Sequence, residues 1–233
     1  MAAGAGIILA GSAAVRGATL YQNTALTTGQ VLNLPNNAQV GEQIWLGTSA
    51  PMYLTNFSFE YYSPFSTYTV PGTVQADVRL YMNNGAPTNG YNTPGTLFYD
   101  SGNFSLQNPW SQGTNTATMV FQLSDLQSVA AGGLALTNGF ILPSSFTFSV
   151  TISGMQGADA VGLPIFDPPQ VGTNAGDYWY DVSGNWELLT NSIGPIAFGA
   201  QFSGTIPEPS VLGLGALGAA ALAVMARRRQ RRG

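Results

Sequence analysis

The sequence predicts an all-β fold, an antiparallel β-sandwich of jelly-roll type, with a transmembrane helix added at the C-terminus. Three observations lead to this prediction. Apolar and polar residues alternate in several segments, turn residues separate those segments, and one long uncharged run stands near the end of the chain. Alternation with a period of two is typical of strands that bury one face. A chain of 233 residues is long enough for one substantial domain between two terminal segments.

Composition favours an extracellular β-rich domain and excludes several kinds of site. Hydrophobic residues make up 45% of the chain and charged residues only 8%, against roughly 25% charged residues in average domains. The chain has 29 Gly and 14 Pro, and it contains no Cys, His or Lys. Disulfides, Cys/His zinc sites and His general bases are therefore excluded. No cofactor is predicted.

Charge is distributed unevenly along the chain. Between Leu20 and Ile206 there are ten acidic residues and one basic residue, Arg79, so this part carries a net charge of −9. Nucleic acid is not predicted as a partner, because its phosphates require a basic surface. Five Arg residues form a separate C-terminal cluster: Arg227, Arg228, Arg229, Arg231 and Arg232.

Residues 1–18 are predicted to be a signal peptide. A short apolar run over residues 5–10 is followed by small residues, and Ser12-Ala13-Ala14 fits the small-x-small rule for cleavage. Cleavage after Ala18 is the alternative. No basic residue precedes Arg16, which indicates that the true start codon lies upstream of Met1. An Ala/Gly-rich unstructured start is the other interpretation of these residues.

Residues 19–205 are predicted to form a single β-sandwich domain. Alternation is clearest in five segments: 57–62, 74–82, 119–123, 146–153 and 196–203. Turn signals such as Asn84-Gly85, Asn89-Gly90 and Ser183-Gly184 lie between the segments. Many strands without an amphipathic helix predict a sandwich, and one domain is the simplest division of the body. We expect the polar face of each strand to be solvated, as in antiparallel sheets with one face on the core.

The tail, residues 206–233, combines three features in a fixed order. Pro207-Glu208-Pro209 is followed by an uncharged run over residues 210–226 and then by the Arg cluster. A helix over 210–226 is about 25 Å long, near the lower limit for a bilayer core of about 30 Å. The Arg cluster holds its end of such a helix in the cytoplasm. A buried or amphipathic helix is disfavoured, because the run has no polar face.

This order of features resembles the PEP-CTERM sorting signal of Gram-negative bacteria. The resemblance implies that a membrane-embedded exosortase recognises Pro207, Glu208 and Pro209 and cuts near them. It implies export, a transient stay in the inner membrane, and a final place in the cell envelope, on the surface or in the extracellular matrix. Proteins with this signal are linked to exopolysaccharide and biofilm, so exopolysaccharide is an expected partner.

Segment 172–189 concentrates aromatic and acidic residues. We predict four carbohydrate-binding residues here, whose rings can stack on sugars: Tyr178, Trp179, Tyr180 and Trp186. Asp177, Asp181 and Asn185 offer the oxygen ligands that calcium prefers, although their spacing does not match an EF-hand loop. The alternative is a hairpin whose aromatic residues only pack, since aromatic residues are favoured in strands.

Catalysis is not predicted. Five carboxylates have the chemistry for a glycosidase pair, but nothing in their spacing selects two of them: Glu42, Glu60, Asp77, Asp100 and Glu187. The leading hypothesis is a non-catalytic surface or matrix protein with weak carbohydrate affinity. The alternatives are a secreted glycan hydrolase or lyase, which requires two carboxylates in a concave groove, and a permanently membrane-anchored protein. Tyr61, Tyr62 and Trp110 are interpreted as packing residues.

Overall fold

The structure, a computed structural model, describes residues 17–122, 140–181, 183–190 and 194–205. One short 3-10 helix covers Pro109–Gln112. The strands, numbered in chain order, are Ala18–Asn23 (β1), Thr27–Asn33 (β2), Gln39–Trp45 (β3), Met52–Tyr62 (β4), Gln75–Met82 (β5), Pro87–Thr88 (β6), Tyr91–Asn92 (β7), Leu97–Asp100 (β8), Phe104–Ser105 (β9), Thr116–Gln122 (β10), Ile141–Leu142 (β11), Ser145–Ser153 (β12), Gly162–Phe166 (β13), Thr173–Asp181 (β14), Trp186–Leu189 (β15) and Ala200–Thr205 (β16).

Within the described residues, the longer strands form two antiparallel sheets. The first sheet has the order β1-β16-β4-β13-β2, with β10 and β11 also paired to β4. The second sheet has the order β15-β14-β3-β12-β5-β8, with β9 also paired to β5. Strands β6 and β7 form a separate small hairpin.

The two sheets pack face to face through aromatic side chains. The ring of Phe202, in the first sheet, lies 5.1 Å from that of Phe146 and 5.8 Å from that of Phe148, both in the second sheet. Phe59 of the first sheet also contacts Phe148, at 6.1 Å between ring centroids. All four side chains are fully buried. The predicted all-β fold is confirmed, and its two antiparallel sheets are consistent with a β-sandwich; the jelly-roll type stays a prediction.

Several of the predicted strands form where the alternation places them. Segment 74–82 corresponds to β5, 146–153 to β12, and 57–62 to the second half of β4. Their apolar faces are buried between the sheets. Burial of this surface is the main source of stability in such a core, at roughly 25 cal/mol per Å² of apolar area.

The predicted strand over 196–203 begins later than expected, at Ala200. The residues before it run as an irregular segment that meets β13 through an isolated bridge between Phe198 and Ile165. The side chain of Glu42 accounts for this irregular segment. The backbone N–H of Phe198 donates to the Glu42 carboxyl at 2.8 Å, so that group does not join a regular ladder of backbone hydrogen bonds.

The outer face of the second sheet is less exposed than the sequence predicts. Asp77, Thr147 and Ser149 lie on it, and they are 6%, 0% and 0% exposed. Loop 83–96, which carries β6 and β7, folds back over this face. Its Tyr91 hydroxyl donates to the Ala175 carbonyl of β14 at 3.1 Å. The expectation of a solvated polar face is therefore wrong for this part of the sheet, whereas Arg79 and Tyr81 on the same face remain partly exposed.

The ends of the body lie side by side. Ala18, at the start of β1, pairs with Gly204, near the end of β16. The remainder of the predicted signal peptide and the predicted tail, 206–233, lie outside the described residues, and so does the predicted transmembrane helix 210–226. In the part that the structure describes, no helix is both long and apolar enough to cross a membrane.

Candidate functional site

The structure does not bring the four predicted aromatic residues onto one surface. Successive residues of a strand point to opposite faces of its sheet, so Tyr178 and Tyr180 of β14 face inward and pack against the core. The Tyr178 ring lies 6.5 Å from that of Phe198. Trp179 faces outward, opposite Gly41 of β3, yet it is 0% exposed. Of the four, Trp186 alone stands partly exposed on the outer face of the second sheet.

Trp186 and Tyr81 form an aromatic pair on that outer face. Their rings meet edge to face, with 5.5 Å between centroids. Tyr81 comes from β5 and Trp186 from β15, so the pair reaches across the sheet. Below it, the Gln39 side-chain amide donates to the Tyr81 hydroxyl at 3.2 Å and to the Ser149 hydroxyl at 2.7 Å. The ring of Tyr81 is thereby fixed in place.

A cluster of two carboxylates and one guanidinium lies on the same face. Nη2 of Arg79 is 2.8 Å from Oδ2 of Asp77, and its Nε donates to Oδ2 of Asp100 at 2.9 Å. Arg79 is the one cationic side chain among the described residues. Burial raises the pKa of Asp77 to about 6, against the opposing effect of Arg79. Burial acts to lower the pKa of Arg79, but the two carboxylates outweigh it and raise that pKa.

We call this surface the polar-aromatic face and define it by five residues: Gln39, Arg79, Tyr81, Asp100 and Trp186. It combines partly exposed rings with a guanidinium, a carboxylate and an amide. Gln39, Arg79 and Tyr81 are not among the binding residues that the sequence predicts. A signal for two of them was present, since the alternation over 74–82 places Arg79 and Tyr81 on the polar side of one strand.

Buried polar atoms without a hydrogen-bond partner collect near this face. In the described part of the chain there are four, and three of them are Gln43 Oε1, Asn83 Nδ2 and Trp179 Nε1. Gln43 shares the outward side of β3 with Gln39, and Asn83 directly follows β5. Such atoms are uncommon in folded proteins. All three therefore lie on or beside the outer side of the second sheet.

The other candidate carboxylates are dispersed. Glu42 is fully buried between the sheets, where it accepts hydrogen bonds from the Tyr21 hydroxyl at 3.3 Å and from the Phe198 N–H. Burial raises the pKa of Glu42 to about 8, and burial together with this carboxyl raises the pKa of Tyr21. Glu60 lies on the outer side of β4, and Glu187 is exposed on β15. Asp77 and Asp100 are the two candidates that converge.

The residues considered for calcium lie around the β14–β15 turn. Oδ1 of Asp181 accepts the backbone N–H of Gly184 at 2.7 Å, so this carboxylate already holds the turn. Asp177 lies on the same strand, and Asn185 is exposed in the turn. Across the described ranges, no group of three or more acidic side chains is placed to hold a metal ion. A calcium ion at Asp177 and Asp181 needs further ligands from other groups.

Comparison with known proteins bears on the tail of the chain. The family model described as the PEP-CTERM protein-sorting motif matches residues 205–230. The match includes Pro207, Glu208 and Pro209, which lie outside the described residues, as does the Arg cluster. The motif implies export, processing by an exosortase and transient anchoring in the membrane. No curated protein matches the chain.

Proposed function

We propose that this PEP-CTERM sorting domain-containing protein is a non-catalytic component of the cell surface or extracellular matrix that binds exopolysaccharide on its polar-aromatic face. One observation supports this proposal above the others. Trp186 and Tyr81 form a partly exposed aromatic pair on a layer of fixed hydrogen-bonding side chains. The sorting motif supports a location outside the cytoplasm, because it implies that the chain is exported.

The chemistry of sugars suits such a surface. A sugar ring has an apolar side made of C–H groups and a rim of hydroxyls, so it is recognised by aromatic rings together with polar groups. Trp and Tyr supply large, rigid apolar area with a polar edge. On the polar-aromatic face, the partly exposed side chains of Arg79 and Asp100 can bond to hydroxyls that approach the aromatic pair, while the buried Gln39 amide holds Tyr81. The face is open and its contacts are few, so we expect weak affinity for one sugar and stronger retention on a long polymer.

The environment of the converging carboxylates supports a binding role over a catalytic one. A general acid must reach the atom that it protonates. Asp77 is nearly buried, and Arg79 forms short ion pairs with both Asp77 and Asp100. The arrangement gives these carboxylates a structural partner and leaves little room for substrate between them.

A glycan hydrolase or lyase is the second candidate function, and one observation favours it. Asp77 and Asp100 are close together, and the pKa of Asp77 is raised to about 6, as a general acid requires. The test is release of reducing ends or unsaturated sugars from polysaccharides by the full chain and by Asp100→Asn. Product formed by the full chain and lost in Asp100→Asn would replace the binding proposal with an enzymatic one.

Binding is tested by retention of the full chain, in mild detergent, on immobilised matrix polysaccharide, cellulose and alginate. We expect retention on at least one of them and a loss of at least tenfold in Trp186→Ala. Tyr62→Ala is the matched control, because Tyr62 is a partly exposed aromatic residue on the outer side of β4 in the other sheet. If no polysaccharide retains a correctly exported protein, the binding proposal fails and a structural role in the matrix remains.

The final location is tested by mass spectrometry of the mature protein from cell fractions. A chain in the surface or matrix fraction that ends near Pro209 is expected for a processed protein. A chain found only in the membrane fraction with its Arg cluster intact would instead identify a permanently anchored protein.

A further inference from the structure

We propose a second glycan-binding site, specific for neutral sugars, in a groove at the end of the body formed by residues 66–72 and 105–111. The groove has a volume of about 490 Å³, within the roughly 300–1,000 Å³ of small-molecule pockets. Its lining is shared between the loop after β4 and the segment that leads from β9 into the 3-10 helix. It is separate from the polar-aromatic face and does not depend on it.

One wall of the groove is fixed by convergent hydrogen bonds. The hydroxyls of Tyr61 and Tyr68 both donate to the carbonyl of Gln107, at 2.9 Å and 3.5 Å. Asn108 accepts the backbone N–H of Trp110 at 3.0 Å and donates to the carbonyl of Phe65 at 3.1 Å. The two lining segments are thereby joined to each other. Binding to a preformed groove avoids the cost of ordering its loops.

The loop that forms the other wall is also tied down. The backbone N–H of Thr69 donates to Asp159 at 2.6 Å, and the Thr69 hydroxyl donates to the carbonyl of Gln156 at 2.8 Å. These contacts connect the loop to the turn that follows β12. Both sides of the groove are therefore held in position without a ligand.

Two exposed aromatic residues are next in sequence to residues that line the groove: Phe65 precedes Ser66, and Trp110 precedes Ser111. Trp110 is 41% exposed and Phe65 is 47% exposed, which differs from the packing role that the sequence suggests for Trp110. The indole N–H of Trp110 donates to the carbonyl of Ser63 at 2.9 Å. This bond satisfies the polar edge of the ring and fixes its plane, while its apolar surface stays accessible. Such a ring can stack on a sugar without losing side-chain freedom on binding.

The lining selects neutral sugars. Among the described residues, no charged side chain lines the groove. Its polar groups are hydroxyls and amides, which pair with sugar hydroxyls in either direction. They belong to Ser66, Thr67, Tyr68, Ser105, Gln107, Asn108 and Ser111. A uronate or a phosphate would bury a negative charge here without a cationic partner, which is unfavourable.

The groove lies at the end of the body opposite to the sorting motif. Strand β4 runs the length of the first sheet: Tyr53, at its start, pairs with Thr205, whereas Tyr62, at its end, leads into Ser63. These ends are about 30 Å apart at roughly 3.3 Å per residue. The groove is therefore far from Thr205, the last residue that the structure describes.

The test is affinity electrophoresis of the full chain in mild detergent, through gels that contain dextran, mannan, galactan or alginate. The comparison is made in the Trp186→Ala background, so that the polar-aromatic face does not contribute. We expect Trp186→Ala to be retarded by at least one of the three neutral polymers. Adding Trp110→Ala is expected to weaken this interaction at least tenfold, whereas adding Leu26→Ala, which removes an equally exposed apolar side chain elsewhere, leaves it unchanged.

The outcomes separate this inference from the proposed function. If the wild-type chain is retarded and Trp186→Ala is not, the groove does not bind and the inference fails while the proposed function stands. Retardation by alginate alone also overturns it. In the same Trp186→Ala background, Trp110→Phe keeps a ring but lacks the N–H that fixes it, so its binding should fall between that of Trp186→Ala alone and that of Trp186→Ala with Trp110→Ala. Equal binding by these three proteins would exclude stacking. Circular dichroism checks that each variant is folded.

Discussion

The second sheet buries one carboxyl group on each of its faces, Glu42 on the inner face and Asp77 on the outer face. The two groups are stabilised by different partners. Glu42, on the inner face, receives neutral donors: the Tyr21 hydroxyl, the Phe198 N–H and the Asn174 side chain. Asp77, on the outer face, has the guanidinium of Arg79 at 2.8 Å. Burial raises the pKa of Glu42 to about 8 but that of Asp77 only to about 6. The nearby cation therefore keeps Asp77 largely charged near neutral pH, whereas Glu42, with neutral donors alone, stays largely protonated.

The two carboxyl groups also serve different parts of the molecule. Glu42 connects β1 and the segment before β16 to β3, so it joins the first sheet to the second. Asp77 organises Arg79 and Asp100 at the surface that we propose for binding. The inner carboxyl therefore belongs to the fold, and the outer one belongs to the candidate site.

The largest effect is expected from Glu42→Ala. The substitution leaves the Tyr21 hydroxyl and the Phe198 N–H buried without an acceptor, and each unsatisfied group costs about 1–3 kcal/mol. We expect the free energy of unfolding of the full chain to fall by about 3–5 kcal/mol in urea titrations. Glu187→Ala, at an exposed position on β15, should change it by no more than about 0.5 kcal/mol. Equal effects would show that Glu42 does not join the sheets.

Arg79→Met tests the outer cluster. It leaves Asp77 buried beside Asp100 without a cation. Breaking a fully buried ion pair costs roughly 3–5 kcal/mol, and we expect about 2–3 kcal/mol because Arg79 is partly exposed. Restoring neutrality with Asp77→Asn in the same chain should recover part of the loss. A double variant that is less stable than Arg79→Met would contradict the pairing.

Stability is expected to decrease as the pH rises from about 5 to about 8. The pKa of Glu42 is raised from 4.5 to about 8 in the folded chain, so the unfolded chain releases this proton first. Above the unfolded pKa the folded state binds more protons, and the free energy of unfolding then falls by at most about 1.4 kcal/mol per pH unit. Burial of Asp77 adds to the decrease below pH 6. Urea titrations of Glu42→Gln should show a flatter profile above pH 6, and an unchanged slope would refute the assignment.

The smallest effect is expected from Tyr81→Phe, which removes one hydroxyl from the outer polar layer. The Gln39 amide loses one acceptor but keeps the Ser149 hydroxyl. A loss of about 0.5–1 kcal/mol is expected from urea titration. Retention on polysaccharide should persist, because the ring that meets Trp186 is kept. Loss of retention without loss of stability would show that the hydroxyl, not the ring, contacts the sugar.

Much of the fold could be predicted because alternation reports which side of a strand meets the core. Strand β5 shows this, with its apolar side chains inside and Asp77, Arg79 and Tyr81 outside. Strand β3 was harder to recognise, since Glu42 occupies an inward position between Val40 and Ile44. A carboxylate there breaks the expected pattern, and its partners Tyr21 and Phe198 are distant in sequence.

The candidate site could be predicted only in part. Trp186 was singled out from its aromatic surroundings, but its contact with Tyr81 joins strands far apart in the chain. Alternation also could not indicate that loop 83–96 covers the outer face, because Tyr91 and Ala175 meet only in the folded chain. For Trp110 a local signal existed: Asn108-Pro109 is a typical start for a helical turn, and that turn directs the indole toward Ser63.

The position of β16 has a consequence for the order of events during synthesis and export. Strand β16 is the last of the body, yet it lies between β1 and β4 in the first sheet. Strand β1 therefore cannot pair with β16 until almost the whole body has been synthesised. Pairings between residues so distant in sequence form slowly. The sorting motif begins at Thr205, where β16 ends. When Pro207-Glu208-Pro209 becomes available for cleavage, β16, the strand that completes the first sheet, has therefore already been synthesised and exported.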